Sequence, residues 1–148
     1  MTIISNDDES FMLLALKEAQ KALDANEVPI GAVIVSNGRI IGRAHNLTER
    51  LGDVTAHAEM QAITSAAANL GGKYLAGCTL YVTVEPCQMC AGALFWTQIS
   101  RIVYGAPDNK RGFTRIGSRM LHPATILQGG LMQEECASLM KQFFKNKR

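Results

Sequence analysis

Long apolar runs are missing from this chain. No stretch reaches the length that crosses a bilayer. The first ten residues, MTIISNDDES, are polar and acidic where a secretory signal is basic and then apolar. Cysteine is sparse, with four residues at Cys78, Cys87, Cys90 and Cys136. These features point to a cytoplasmic protein, in a compartment where lasting disulfides are rare. Net charge is also small, +2 at neutral pH, so any basic surface is a local patch. Repeats, low-complexity segments and linkers are absent. A length of 148 residues suits one domain with a substantial core, so residues 1–148 are read as a single domain.

What is present is an alternation of helical and extended patterns. Residues 10–26 carry Phe11, Leu14, Ala15, Ala19, Ala22 and Leu23 at helical spacing, with Ser10 as the expected cap and Pro29 closing the segment. Two β-rich runs then flank Asn37-Gly38, the strongest short hairpin signal. LTERLGDVT reads as a polar loop. AHAEMQAITSAAANL reads as a helix ended by Gly71-Gly72, and CTLYVTV as a strand stopped at Pro86. CQMCAGALFWTQ suits a helix and RIVYG a strand. Residues 106–125 are loop-like, TILQGGL is a weak strand, and EECASLMKQFFKNKR is a closing helix with a basic end. Strand–helix–strand units favour parallel pairing and the hairpin must be antiparallel. The expected fold is therefore α/β, a mixed sheet covered by helices on both faces.

Cys87 and Cys90 stand three positions apart, after a strand and at a helix start. The helix N-terminus lowers thiol pKa values there. That suits a redox pair and a metal site equally, so the local context does not decide between them. TAHAEM supplies the discriminating residues. It puts His57 and Glu59 at the start of the preceding helix, and two helices packed on one face of a sheet can bring their N-termini together. His57, Cys87 and Cys90 make three protein ligands with no convincing fourth. That count points to an open, water-bearing site, because a structural zinc usually takes four. His57 and Glu59 would diverge in mid-helix; in a first turn facing a pocket, both can reach a common centre. A carboxylate placed there can carry the proton of an activated water.

The order H-x-E…P-C-x-x-C is the known signature of zinc nucleobase deaminases. On EVPIGAVIV, RAHN, TAHAEMQAI, CTLYVTVEPCQMCAGA, RIVYGAPD and the terminal EECASLMKQFFKNKR, the chain resembles the bacterial tRNA-specific adenosine deaminase family of the cytidine deaminase-like superfamily. The resemblance covers nearly the whole chain. It implies a three-layer α/β/α fold with a five-stranded mixed sheet, a homodimer, one zinc ion per chain, and conversion of the wobble adenosine of a tRNA anticodon loop to inosine. It assigns zinc ligation to His57, Cys87 and Cys90 and proton transfer to Glu59. It implies that Ile30 walls the base pocket, that Asn46 contacts the target nucleotide and that Asp108 lies near a flanking one. It also places Phe144 and Lys145 on the helix that meets the anticodon loop. Pro107 and the bulky NKRGFTRIGS segment depart from the family pattern, in the loop that would face RNA.

Plainer readings stand beside these. Asn46 is also a turn residue by type, and Asp108 a loop cap. Cys78 and Cys136 read as small buried residues, and His45 and His122 as structural or surface groups. Phe95 and Trp96 read as core or dimer interface. Of Phe143 and Phe144, one is expected to pack inward and the other to be free. Lys141, Lys145, Lys147 and Arg148 are either a solvated helix end or a phosphate-binding patch, extended by Lys73, Lys110, Arg111, Arg115 and Arg119. Three other functions compete: a guanine or cytosine deaminase of the same superfamily, a non-catalytic zinc-stabilised RNA-binding module, and a thiol oxidoreductase.

Overall fold

Asn37 and Gly38 both adopt left-handed backbone, with φ of 50° and 75°. This is the geometry a two-residue hairpin turn requires. The turn joins β1 (Gly31–Ser36) to β2 (Arg39–His45), as the sequence predicts. The computed structural model describes residues 6–147; Arg148 of the basic tail lies outside them. Helix α1 (Asn6–Asp24) precedes the hairpin, and the one-turn helix α2 (Thr48–Leu51) follows it. Then come α3 (Ala58–Leu70), β3 (Cys78–Val84), α4 (Gln88–Thr97), β4 (Arg101–Ala106), β5 (Ile126–Gln128) and α5 (Gln133–Asn146). Two short 3-10 turns, Phe113–Arg115 and Ser118–Met120, lie between β4 and β5.

The five strands are ordered β2-β1-β3-β4-β5. β1 runs antiparallel to β2 and β3, while β3, β4 and β5 are parallel. Side chains alternate between two cores, as the period of a strand demands. Ile34, Leu80 and Ile102 pack with Ala62 and Ala66 of α3 and Leu94 of α4. Val33, Tyr81 and Val103 pack with Met12 and Ala15 of α1 and Cys136 of α5. Helices therefore cover both faces, and the architecture is the expected three-layer α/β/α sandwich. The alanines of α3 let it lie close on β2: a Cβ at Gly42 would stand 2.6 Å from the Ala62 carbonyl oxygen. No described helix is long and apolar enough to cross a membrane.

Two expectations change and a third narrows. Helix α1 begins four residues before Ser10, whose hydroxyl donates to the Asn6 carbonyl inside the helix and does not cap it. The acidic first turn, Asp7 to Glu9, suits the helix dipole, which is why the helix extends there. Its buried stripe is Asp8, Met12, Ala15, Glu18, Ala19 and Ala22; Phe11, Leu14 and Leu23 are only partly covered. The segment read as a polar loop contains α2, too short to show any periodicity. Of the two readings of Trp96, core or dimer interface, its 76% exposure removes the first; α4 buries Leu94 in the core. The readings of Cys78 and Cys136 as buried, and of Phe143 as buried beside an exposed Phe144, agree with the structure.

Candidate metal centre and active-site cavity

The start of β1 and the ends of β2, β3 and β4 meet at one edge of the sheet, because Gly31 pairs with His45, Ala32 with Val82, and Val84 with Ala106. Ligands of open α/β sheets gather at the carboxyl ends of the parallel strands. A cavity of about 680 Å³ opens there, lined in part by Ile30, Asn46, His57, Glu59, Cys87 and Asp108.

His57 is the N-cap of α3 and Cys87 the N-cap of α4, both in extended backbone (φ −72° and −74°). Neither helix start has a side-chain cap hydrogen bond. Each side chain faces off the helix end. The His57 Nδ1 atom lies 3.6 Å from Sγ of Cys87 and 3.6 Å from Sγ of Cys90. All three donor atoms lie within 4.8 Å of one another. A tetrahedral zinc with ordinary Zn–N and Zn–S bonds separates its nitrogen and sulfur ligands by about 3.6 Å. The donor set and its spacing thus fit the metal. Among the described residues it is the one cluster of metal-ligating side chains, and no fourth protein ligand joins it.

The electrostatics favour ligation. A hydrogen bond from the Cys90 thiol lowers the Cys87 pKa to about 4, with help from His57 and against the opposing effect of burial. Cys90 is pushed up by that same bond and by its own burial. Metals take cysteine as thiolate, so ligation through Cys90 would release its proton. Glu59 is 3% exposed, and burial raises its carboxyl to about 7. Its Oε1 has no hydrogen-bond partner among the described residues. A buried carboxylate with an open oxygen beside such a cluster is equipped to accept and return a proton.

Residues 5–106 match the family profile of the cytidine and deoxycytidylate deaminase zinc-binding region. The chain is 48% identical over 143 residues to the tRNA-specific adenosine deaminase of Agrobacterium fabrum, covering 93% of this chain and 94% of that one. The chain belongs to the tRNA-specific adenosine deaminase family. A solved structure from work on A-to-I editing by tRNA:A34 deaminases at the wobble position of transfer RNA superposes with a TM-score of 0.82 at 45% identity, covering 88% of this chain and 98% of that one. The guanine deaminase of Bacillus subtilis is less similar, with a TM-score of 0.65 at 38% identity over 70% of this chain and 66% of that one.

Within this deaminase framework the other anticipated residues separate. Ile30, Asn46, Asp108 and Phe144 line the cavity, Phe144 reaching it from α5. Lys145 lines a neighbouring depression on α5 with Met140, Lys141 and Phe144. Asn46 is buried, and its Nδ2 donates to the Thr48 hydroxyl at 3.3 Å. Asp108 does act as a loop cap, since its Oδ1 accepts from the backbone N–H of Lys110 and Arg111, both at 3.0 Å. It remains beside the cavity all the same. His45 is structural, bonding Glu18 at 3.0 Å, and the His122 ring accepts from the Ala124 N–H.

Sequence reasoning missed Glu27 and Glu85, buried at 1% and 5% exposure. The available signal was a carboxylate set among apolar residues: Glu27 just before Val28-Pro29-Ile30, and Glu85 between Val84 and Pro86.

Proposed function

We propose that this chain hydrolyses adenosine to inosine at the wobble position of tRNA anticodons, working as a single zinc-dependent deaminase domain. His57, Cys87 and Cys90 would hold the metal, one ion per chain. When bound, zinc lowers the pKa of a coordinated water to roughly 7 and so supplies the nucleophile at neutral pH. Glu59 takes one proton from the water and delivers it to N1 of the adenine ring; it then takes the second proton from the new C6 hydroxyl and passes it to the C6 amine, which leaves as ammonia. A C6–N bond is exchanged for a C6–O bond, with no change of oxidation state.

The observation that carries the chemistry is the open Glu59 Oε1 in a buried carboxylate next to the Cys90 thiol. A purely structural zinc has no use for such a group, and a thiol oxidoreductase has none for His57. The substrate reading is supported by the 48% identity to a tRNA-specific adenosine deaminase over nearly all of both chains. Ile30 walls the base site, Asn46 binds the target nucleotide, Asp108 meets a flanking nucleotide, and Phe144 and Lys145 contact the anticodon loop. A single-stranded loop offers its base with little unstacking cost. The same reading extends to a homodimer in the cytoplasm. Trp96 and Val54, 76% and 84% exposed, supply apolar surface suited to a second copy.

The test is inosine formation in an unmodified anticodon stem-loop with a wobble adenosine, run beside free guanine, cytosine and adenosine. Inosine in the RNA alone supports the reading. Turnover of a free base by zinc-loaded protein that leaves the RNA unchanged overturns it.

A further inference from the structure

Two buried carboxylates outside the proton-transfer chemistry grip the loops on either side of the cavity. One loop, 46–50, leaves β2; the other, 107–114, leaves β4, and β1 and β3 lie between those strands. On the first side, Glu27 Oε1 accepts from the Glu49 N–H at 3.0 Å and Oε2 from the Arg50 N–H at 2.7 Å. These are N–H groups at the start of α2, where Leu47 provides no side-chain cap. The Thr48 hydroxyl donates to Glu27 Oε1 at 3.4 Å and accepts from Asn46 Nδ2 at 3.3 Å. The Asn46 amide is thus oriented through Thr48 by Glu27. One of its two N–H groups is committed, leaving the other and Oδ1 for a ligand.

On the second side, Glu85 Oε1 accepts from the Asp108 N–H at 3.1 Å. Its Oε2 accepts from the Thr114 N–H at 3.0 Å and the Thr114 hydroxyl at 2.6 Å. The loop closes over this carboxylate: the Gly112 N–H donates to the Asp108 carbonyl at 2.8 Å and the Phe113 N–H to the Pro86 carbonyl at 3.0 Å. A side chain at Gly112 would collide with the Glu85 carboxylate and the Asp108 carbonyl. Asp108, Lys110 and Arg111 are carried at the cavity rim by this closed loop.

We propose that Glu27 and Glu85 are paired positioning residues. Glu27, through Thr48, sets Asn46 for the target base; Glu85, through Thr114 and the Asp108 backbone, fixes the loop that meets the flanking nucleotides. Each removes a loop-ordering cost that substrate binding would otherwise bear. The inference rests on the cavity being the nucleotide site of the proposed deaminase.

The two walls should fail differently. Glu85→Gln turns one acceptor oxygen into a donor facing N–H groups, and is expected to raise KM for the stem-loop about tenfold while kcat stays within about twofold. Glu27→Gln is expected to lower kcat, because it misplaces the group that orients the base. Thr114 is exposed and Thr48 part-buried, so the Val and Ser variants at these positions separate the effect from folding failure. Thr114→Val should reproduce part of the KM rise and Thr48→Val part of the kcat loss, and the Ser variants should restore both. Amide exchange gives a readout independent of turnover: exchange at 108–114 should quicken in Glu85→Gln, and at 48–50 in Glu27→Gln. Faster local exchange with KM and kcat both unmoved in active protein overturns the positioning roles. So does a fall in thermal stability that carries kcat and KM equally for both walls. If the wild type makes no inosine, the substrate reading has failed on its own, and the exchange data still report on the two carboxylates.

Discussion

His57 and Glu59 face one cavity although they are only two residues apart at a helix start. His57 is the extended N-cap, with φ −72° and ψ 155°, and Glu59 sits in the first turn of α3. A continuous helix would set their side chains about 200° apart; the change of backbone at the cap brings both to the same space. Glu59→Gln keeps the shape of the side chain and removes its basicity. It is expected to retain zinc by elemental analysis and to lower kcat for inosine formation by a factor of about 10²–10⁴. Full zinc with undiminished kcat would remove Glu59 from the proton path.

Metal removal is expected to act on stability as well as turnover. A chelator, or Cys90→Ser, should abolish activity. It should also lower Tm by roughly 5–10 °C, the amount lost with a ligand held at about a hundred times its Kd. Zinc added back to the chelated wild type should restore both, read by calorimetry and by the stem-loop assay.

Acid stability should report Glu18. Burial would raise its pKa, but hydrogen bonds from Lys21, Arg43 and His45 outweigh that and hold it at about 2, below its ordinary 4.5. A carboxyl lowered on folding adds stability above its unfolded pKa, and loses it as pH falls through the folded one. Glu18→Gln is therefore expected to cost about 1–2 kcal/mol at pH 7, after allowance for the solvent around Lys21 and Arg43. The difference should shrink between pH 4.5 and 2 in urea titrations. A gap that is constant across that window would assign the loss to packing alone.

Helix α5 should contribute affinity more than chemistry. Phe144 is 54% exposed and lines the cavity together with Lys141. Phe144→Ala is expected to weaken stem-loop binding by about 1–3 kcal/mol through lost stacking. Lys141→Ala should reduce the slope of log K against log salt by about 0.7–1. Filter binding at several salt concentrations measures both.

The metal cluster was legible because its chemistry is local. H-x-E and C-x-x-C each sit at a helix start, and the hairpin turn and Gly71 cap carry unmistakable residues. The positioning carboxylates were not legible, because their partners are backbone N–H groups 22, 23 and 29 residues away and backbone leaves no mark in sequence. The same limit hid α2, whose start is held by Glu27 from a distant part of the chain. Residue type left Trp96 as either core or dimer interface; the packing of α4, which turns it outward, removes the first of these. β5 is a three-residue edge strand, and its alignment comes from β4, not from any pattern of its own.

The two N-caps carry a last consequence. His57 and Cys87 occupy the positions where serine or aspartate would normally tie down a helix start, and neither forms that bond. A cation shared between them and Cys90 would act as a common rivet for α3 and α4. Unloading it would loosen both helix starts together, so the first turns of the two helices should fray as one unit while the sheet beneath them holds.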